Sequence, residues 1–274
     1  MIRLFEPMRE PQMIAPEHPP LNPSAPASDP LDTIELVPDL SQIPVEEVEI
    51  KASHRVIVLS DPRSPGADRF RYLRMRLREL RAKGQLKSLV ITSPMPQDGK
   101  STVAMNLATV LAEGGKRKVL LIEADLHRPT LAKSLGVPIR AGVAECLESG
   151  LDPMLALRRL EPLCWYLLQA GEPQGNPTEI LQSGGFAHMM ETLSPVFDWI
   201  LIDTPPVGPL TDALCLARIA DASLLVIRAG HTPQEAADEA LALLGPGRVA
   251  GIVFNGAEGL NRLYAKYSGY YGKK

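Results

Sequence analysis

Residues 88–115 read SLVITSPMPQDGKSTVAMNLATVLAEGG. Ser88–Thr92 is a short β-branched and leucine-rich run that enters a turn containing Pro, Asp and Gly, and Ser101–Ala112 beyond it has helical periodicity. Strand, loop and helix in that order, with Gly99-Lys100-Ser101-Thr102 at the turn, is the context a phosphate-binding loop requires. Gly99 lets the backbone close on an oxyanion, and the amides that follow lie at a positive helix N-terminus. Lys100 supplies a mobile point charge for β- and γ-phosphates, and the Ser101 hydroxyl is a hard oxygen ligand suited to Mg²⁺. In the usual spacing GxxxxGK[ST] the first position is Gly; here it is Pro94. The residues expected to line the nucleotide are Met95, Pro96, Gln97, Asp98, Gly99, Lys100, Ser101 and Thr102, joined by Asn255 at the end of the last strand of the series.

Outward from this stretch, apolar runs alternate with helical ones. Candidate strands are Ser88–Thr92, Lys118–Ala124, Trp165–Leu168, Trp199–Asp203, Ser223–Arg228 and Val249–Asn255, with amphipathic helices such as Ser101–Ala112 and Pro233–Leu244 between most of them. Strands apolar on both faces and separated by helices predict an α/β, doubly wound, mostly parallel sheet with helices on both faces. In such a sheet the carboxyl ends of the strands converge on one edge, where ligands bind. VLLIEAD places Glu123 and Asp125 there, and WILIDTPP places Asp203 there. A single acid at a strand end could simply cap the next helix. Three beside a Lys-Ser loop point instead to a site for MgATP, with Ser101, Asp125 and Asp203 as metal ligands and Lys100, Glu123, Asp125 and Asp203 as the reacting set.

Composition sets the outer limits. The 274 residues are 45% hydrophobic and 22% charged, with a net charge of −3 that suggests no nucleic-acid partner. No apolar run approaches the roughly 18 residues of a membrane helix, and the first residues, MIRLFEPMRE, lack the apolar core of a secretory signal. Cys146, Cys164 and Cys215 form no CxxC pair and read as thiols of a reducing, cytoplasmic compartment. Residues 1–50 hold 10 of the 26 prolines and 10 acidic against 2 basic residues, and read as a disordered acidic leader. Residues 51–90 reverse the sign, with 11 basic against 3 acidic, and place Phe70, Leu73, Leu77 and Leu80 on one helical face. Arginines on the other faces suit either solvent or a docking surface. The folded domain is expected over 51–258.

These motifs together resemble the bacterial tyrosine kinases of capsule and exopolysaccharide synthesis, in their separate cytoplasmic form. Ser93, Pro96, Asp98, Gly99, Lys100, Ser101 and Thr102 match that family's Walker A loop, in which a non-Gly first position is normal. Glu123-Ala-Asp125-Leu-His127-Arg128-Pro129 aligns with the Walker A′ motif, which usually reads D-x-D-x-R-[RK]-P. Asp203-Thr204-Pro205-Pro206, followed by Thr211-Asp212-Ala213, aligns with Walker B; AGEPQGNPTEIL (170–181) and ADASLLVIRAGHTP (220–233) are further echoes. Glu123 and His127 are the two departures near the chemistry. The resemblance implies a P-loop fold of the MinD/ParA type and autophosphorylation in trans on the tail tyrosines Tyr264, Tyr267, Tyr270 and Tyr271. These are four of the six tyrosines in the chain, set in a Gly- and Lys-rich tail (259–274). It also implies a homo-oligomer through Asp68, Arg71 and Arg74, which stand where the family has E-x-x-R-x-x-R. A transmembrane polysaccharide co-polymerase would serve as activator and bring the chain to the membrane indirectly. The rival readings are a MinD/ParA-like ATPase and a non-catalytic nucleotide-binding regulator. Met95, standing where such ATPases usually have a second lysine, argues against the first.

Overall fold

The computed structural model describes residues 2–3, 40–84, 86–208 and 211–257. Its strands are β1 (Ile2–Arg3), β2 (Val45–Glu47), β3 (Ser88–Thr92), β4 (Val119–Glu123), β5 (Arg158–Glu161), β6 (Trp165–Leu168), β7 (Trp199–Asp203), β8 (Ala222–Arg228) and β9 (Val249–Asn255). They form one sheet in the order β1-β9-β8-β3-β7-β4-β6-β5-β2. The six strands from β9 to β6 are parallel, as their apolar character on both faces requires. β1 is antiparallel to β9, and β5 is antiparallel to β6 with β2 parallel beside it.

Helices cover both faces: α1 (Ile57–Ser60), α2 (Pro65–Lys83), α3 (Lys100–Ala112), α4 (Leu131–Leu135), α5 (Val143–Ser149), α6 (Pro153–Ala156), α7 (Pro177–Gln182), α8 (Gly185–Leu193), α9 (Asp212–Ile219) and α10 (Gln234–Leu244). Successive strand residues face opposite layers. Leu89, Ile91, Leu121 and Leu201 join the core under α2 and α3, while Val90, Leu120, Ile122, Ile200 and Ile202 join the core under α7 and α8. Leu73 and Leu77 of α2 are fully buried on the first layer, and Phe70 and Leu80 pack beside them. Ser64 starts that helix, its hydroxyl accepting the Ala67 amide at 3.2 Å.

The six strands expected from sequence are present, and three further strands, at or next to the sheet edges, were not anticipated. β5 reads RRLE and β2 reads VEE, too polar for a periodicity search and typical of charged sheet edges. β2 also corrects the expected leader boundary at residue 50. Leu40, Ile43 and Val48 are buried, and β2 pairs with β5 in register Glu46 to Leu160, so the folded body includes residues 40–50. The density of proline and acid over the whole stretch masked this short apolar series. Pro44 lies just ahead of the strand, where its carbonyl accepts the Arg159 amide at 3.0 Å and its missing N–H leaves no ladder bond unmade. The tail 259–274 with its four tyrosines, and residues 4–39, lie outside the described residues. No helix among the described residues is long and apolar enough to cross a membrane.

The burial of α2 makes a direct stability contrast. Leu73→Ala is expected to cost about 2–5 kcal/mol in urea unfolding, whereas Tyr72→Ala, one position away and half exposed, should stay within about 0.5 kcal/mol of wild type.

Candidate active site

The carboxyl ends of β3, β4 and β7 lie side by side, with Asp203 in register with both Ile91 and Glu123. The loop that leaves β3 turns at Gly99, whose φ of 94° is left-handed, and α3 begins at Lys100. Any Cβ at Gly99 would lie 2.1 Å from the Asn255 side-chain amide, which donates to Asp98 O at 2.8 Å. Glycine is therefore required here by both conformation and contact. The first glycine of the usual motif is not needed in the same way. At Pro94 the chain is instead tied to the Walker B segment: Val207 N donates to Ser93 O at 2.9 Å and Thr92 Oγ1 to Pro205 O at 2.9 Å.

Lys100 Nζ lies 3.0 Å from Asp125 Oδ2, with both side chains largely buried. Burial pulls the ammonium pKa down, but the charges of Asp203 and Asp125 outweigh it, and the net shift is upward, so the lysine stays cationic. The other Asp125 oxygen accepts the Arg128 amide at 3.1 Å. Asp203 is buried; the Ser101 hydroxyl and the Lys100 charge act on its carboxylate, and no other donor reaches it among the described residues. Burial pushes its pKa up to about 6, against the opposing pull of the Lys100 charge and the Ser101 hydroxyl. A buried carboxylate short of donors, beside a lysine and a serine hydroxyl, fits a hydrated divalent cation. No cluster of three or more acids or other side-chain ligands able to hold a metal forms among the described residues. A cation held by one or two protein oxygens, completed by phosphate and water, is the habit of Mg²⁺.

Glu123 is placed differently from the expected reacting acid. Its Oε1 accepts the amides of Thr130 and Leu131, each at 2.6 Å, and its Oε2 accepts the Ala170 amide at 3.3 Å. The extra methylene relative to aspartate carries the carboxylate onto the first turn of α4 and the end of β6. There it braces the Walker A′ loop, with three backbone amides on its two oxygens, while burial still leaves its pKa raised. His127 also has a local partner: Nε2 lies 2.9 Å from Oδ2 of the fully buried Asp212, with Thr178 Oγ1 at 3.4 Å. It ties the Walker A′ loop to the starts of α7 and α9.

Met95, Pro96, Gln97 and Asp98 form the loop around Lys100, and Ser101 Oγ is reached by Thr130 Oγ1 at 3.4 Å. Thr102 and Val103 lie in the first turn of α3. A cavity of about 410 Å³ opens beside them, walled by Val103, Asn255, Gly256, Gly66 and Phe70. The expected oligomer residues lie apart from this edge, on α2. Arg71 pairs with Asp68 at 2.7 Å, and Arg74 donates to Val110 O at 3.1 Å. Sequence reading missed the loop residues Arg228, His231 and Thr232, which contact the phosphate-binding loop. The stretch RAGHT was visible as a family echo, but nothing in its spacing indicated a contact.

No family model matches the chain. The chain is 33% identical over 226 residues to the tyrosine-protein kinase YwqD of Bacillus subtilis (strain 168), covering 82% of this chain and 94% of that one. It is 30% identical over 221 residues to the succinoglycan biosynthesis transport protein ExoP of Rhizobium meliloti (strain 1021), covering 79% of this chain but only 28% of that protein. Among solved structures, the BceF tyrosine kinase domain superposes with a TM-score of 0.64 at 32% identity, over 73% of this chain and 81% of the other.

Two outcomes follow from the acids. In nucleotide- and metal-free protein the folded state holds the Asp203 proton up to about pH 6, while an unfolded aspartate releases it near 3.8. Its contribution to stability is therefore full below about pH 4 and is lost as pH rises through about 6, by up to about 3 kcal/mol. Urea unfolding across that range should show this fall in wild type and a flatter profile in Asp203→Asn. Glu123→Asp restores the family's usual residue yet should destabilise the fold by about 1–3 kcal/mol in the same assay, because the shorter carboxylate leaves the Thr130 and Leu131 amides unpaired.

Proposed function

The chain belongs to the family of bacterial tyrosine-protein kinases, and on that premise we propose that it transfers the γ-phosphoryl group of MgATP to tyrosines of a neighbouring copy's tail. The observation that carries this reading is the buried, under-satisfied Asp203 carboxylate set beside the Lys100–Asp125 pair and Ser101 at the mouth of a phosphate-binding loop. In the resting chain Asp125 neutralises Lys100. A triphosphate on the loop amides offers the ammonium a more highly charged partner, and Lys100 leaves Asp125 for the β- and γ-phosphates. Ser101 and Asp203 would hold Mg²⁺, which would neutralise charge that develops on the transferred group and its leaving oxygen. The cavity between Val103, Asn255 and Phe70 would take the purine base.

A phenol has a pKa near 10 and needs a proton acceptor at neutral pH. With Glu123 bracing the loop through backbone amides, Asp125 is the acid of the Walker A′ loop that Lys100 frees when nucleotide binds. It takes the proton as the phenol oxygen bonds to the γ-phosphorus and the bond to the ADP oxygen breaks. The acceptors are Tyr264, Tyr267, Tyr270 and Tyr271. Arg262, Lys266, Lys273 and Lys274 make their tail basic, so that each phosphate, at about −1.5 to −2 charges, moves it toward acidic. Copies would associate through the α2 face bearing Asp68, Arg71 and Arg74, with exposed Tyr72 and Met75 between them. By its likeness to proteins of exopolysaccharide export, the chain would act at the inner face of the plasma membrane beside a transmembrane co-polymerase, regulating polymer assembly.

Incubation of the full chain with MgATP followed by phosphotyrosine detection should give a signal that falls at least about 100-fold in Lys100→Met. Replacement of the four tail tyrosines by phenylalanine should abolish the signal and leave ATP binding intact. ATP hydrolysis without phosphotyrosine in wild type would instead establish the ATPase reading.

A further inference from the structure

The phosphate-binding loop of this chain has Pro94 in place of its usual first glycine, and its non-glycine residue Gln97 sits at a left-handed φ of 68°, a conformation that costs energy for any residue with a Cβ. Several contacts that hold this shape come from outside the loop, from the end of β8 and its connection to α10. Thr232 Oγ1 donates to Asp98 Oδ1 at 2.6 Å, Arg228 Nη1 donates to Gln97 O at 3.3 Å, and His231 Nε2 lies 3.4 Å from Pro96 O. The Thr232 hydroxyl oxygen also accepts the Arg228 amide at 2.8 Å, so one hydroxyl joins the end of β8 to the loop. Its partner Asp98 is fully buried, and the second oxygen of that carboxylate accepts the Met95 amide at 3.0 Å. Asp98 thus closes the loop on itself from Met95 to Gly99, and Thr232 is the side chain that satisfies its remaining oxygen.

We propose that Thr232 is a positioning residue for nucleotide binding. Acting through Asp98, it holds the phosphate-binding loop in its ligand-ready shape without touching the ligand. Its hydroxyl is required because a buried carboxylate oxygen left without a donor pulls toward water. That movement would carry the Met95 and Gly99 segments away from the geometry the phosphates need. Serine at 232 offers the same hydroxyl; valine offers the same shape without it. The proposal rests on a nucleotide occupying this loop.

Equilibrium binding of a fluorescent ATP analogue with Mg²⁺ to the full chain tests it. Thr232→Val should weaken binding about tenfold, within the range set by leaving a buried acceptor unpaired, and Thr232→Ser, which keeps the donor, should bind within about twofold of wild type. In phosphotransfer the valine variant should raise KM for ATP more than it lowers kcat. Amide hydrogen exchange at Met95 should speed up in the valine variant and not in the serine variant. On an Asp98→Asn background the valine substitution should add little, because the two residues act as one unit. Wild-type affinity in Thr232→Val, equal losses in the serine and valine variants, or additive effects with Asp98→Asn would overturn the assignment. Absence of nucleotide binding by the wild-type chain would instead remove the nucleotide reading, and this assignment with it.

Discussion

The site depends on a charge imbalance kept out of water. One lysine and two aspartates converge where β3, β4 and β7 end together, and the Lys100 ammonium pairs directly with Asp125 while its charge also acts on Asp203. Asp203 stays buried and short of donors among the described residues. An isolated fold gains little from such an arrangement, since a buried carboxylate short of donors is destabilising. The arrangement makes sense as a half-site that a polyphosphate and its cation complete. The parallel sheet makes it possible: strands apolar on both faces bury their own length, and their polar groups collect at one edge.

Two departures from the family pattern are absorbed locally, one by hydrogen bonding to backbone and the other by pairing with a buried side chain. At position 123 the longer acid reaches the first turn of α4 and the end of β6, and fixes the Walker A′ loop. His127 meets a buried acid, Asp212, across the same loop. At position 94 the missing glycine is offset by contacts from the Walker B segment on one side and from Thr232 and Arg228 on the other. The loop thereby receives its shape from its neighbours as well as from its own sequence.

The legible parts of the fold were those governed by periodicity and by glycine. The six parallel strands, the buried stripe Leu73–Leu77 of α2 and the turn at Gly99 all follow from side-chain pattern and backbone freedom. Lys100, Asp125 and Asp203 could be placed on one edge because parallel topology puts them there. What escaped were contacts made by polar residues over long sequence separations. β2 at the sheet edge and β5 beside it are charged strands whose pairing is set by backbone, and Leu40, Ile43 and Val48 lie in a stretch whose average composition is that of a loop. The destination of the Glu123 carboxylate turned on one methylene and three amides, and Thr232 carries no signal until its distance to Asp98 is known.

The central claim is that Lys100 exchanges Asp125 for phosphate when MgATP binds, and that Asp203 then faces the metal. A crystal structure of the full chain with Mg²⁺ and a non-hydrolysable ATP analogue measures this directly. The account predicts the Lys100 ammonium on the β- and γ-phosphate oxygens, and a metal about 2.0–2.1 Å from Ser101 Oγ with the Asp203 carboxylate in its coordination sphere or bonded to its waters. Lys100 still paired with Asp125 while the triphosphate lies elsewhere, or a metal remote from Asp203, would contradict it.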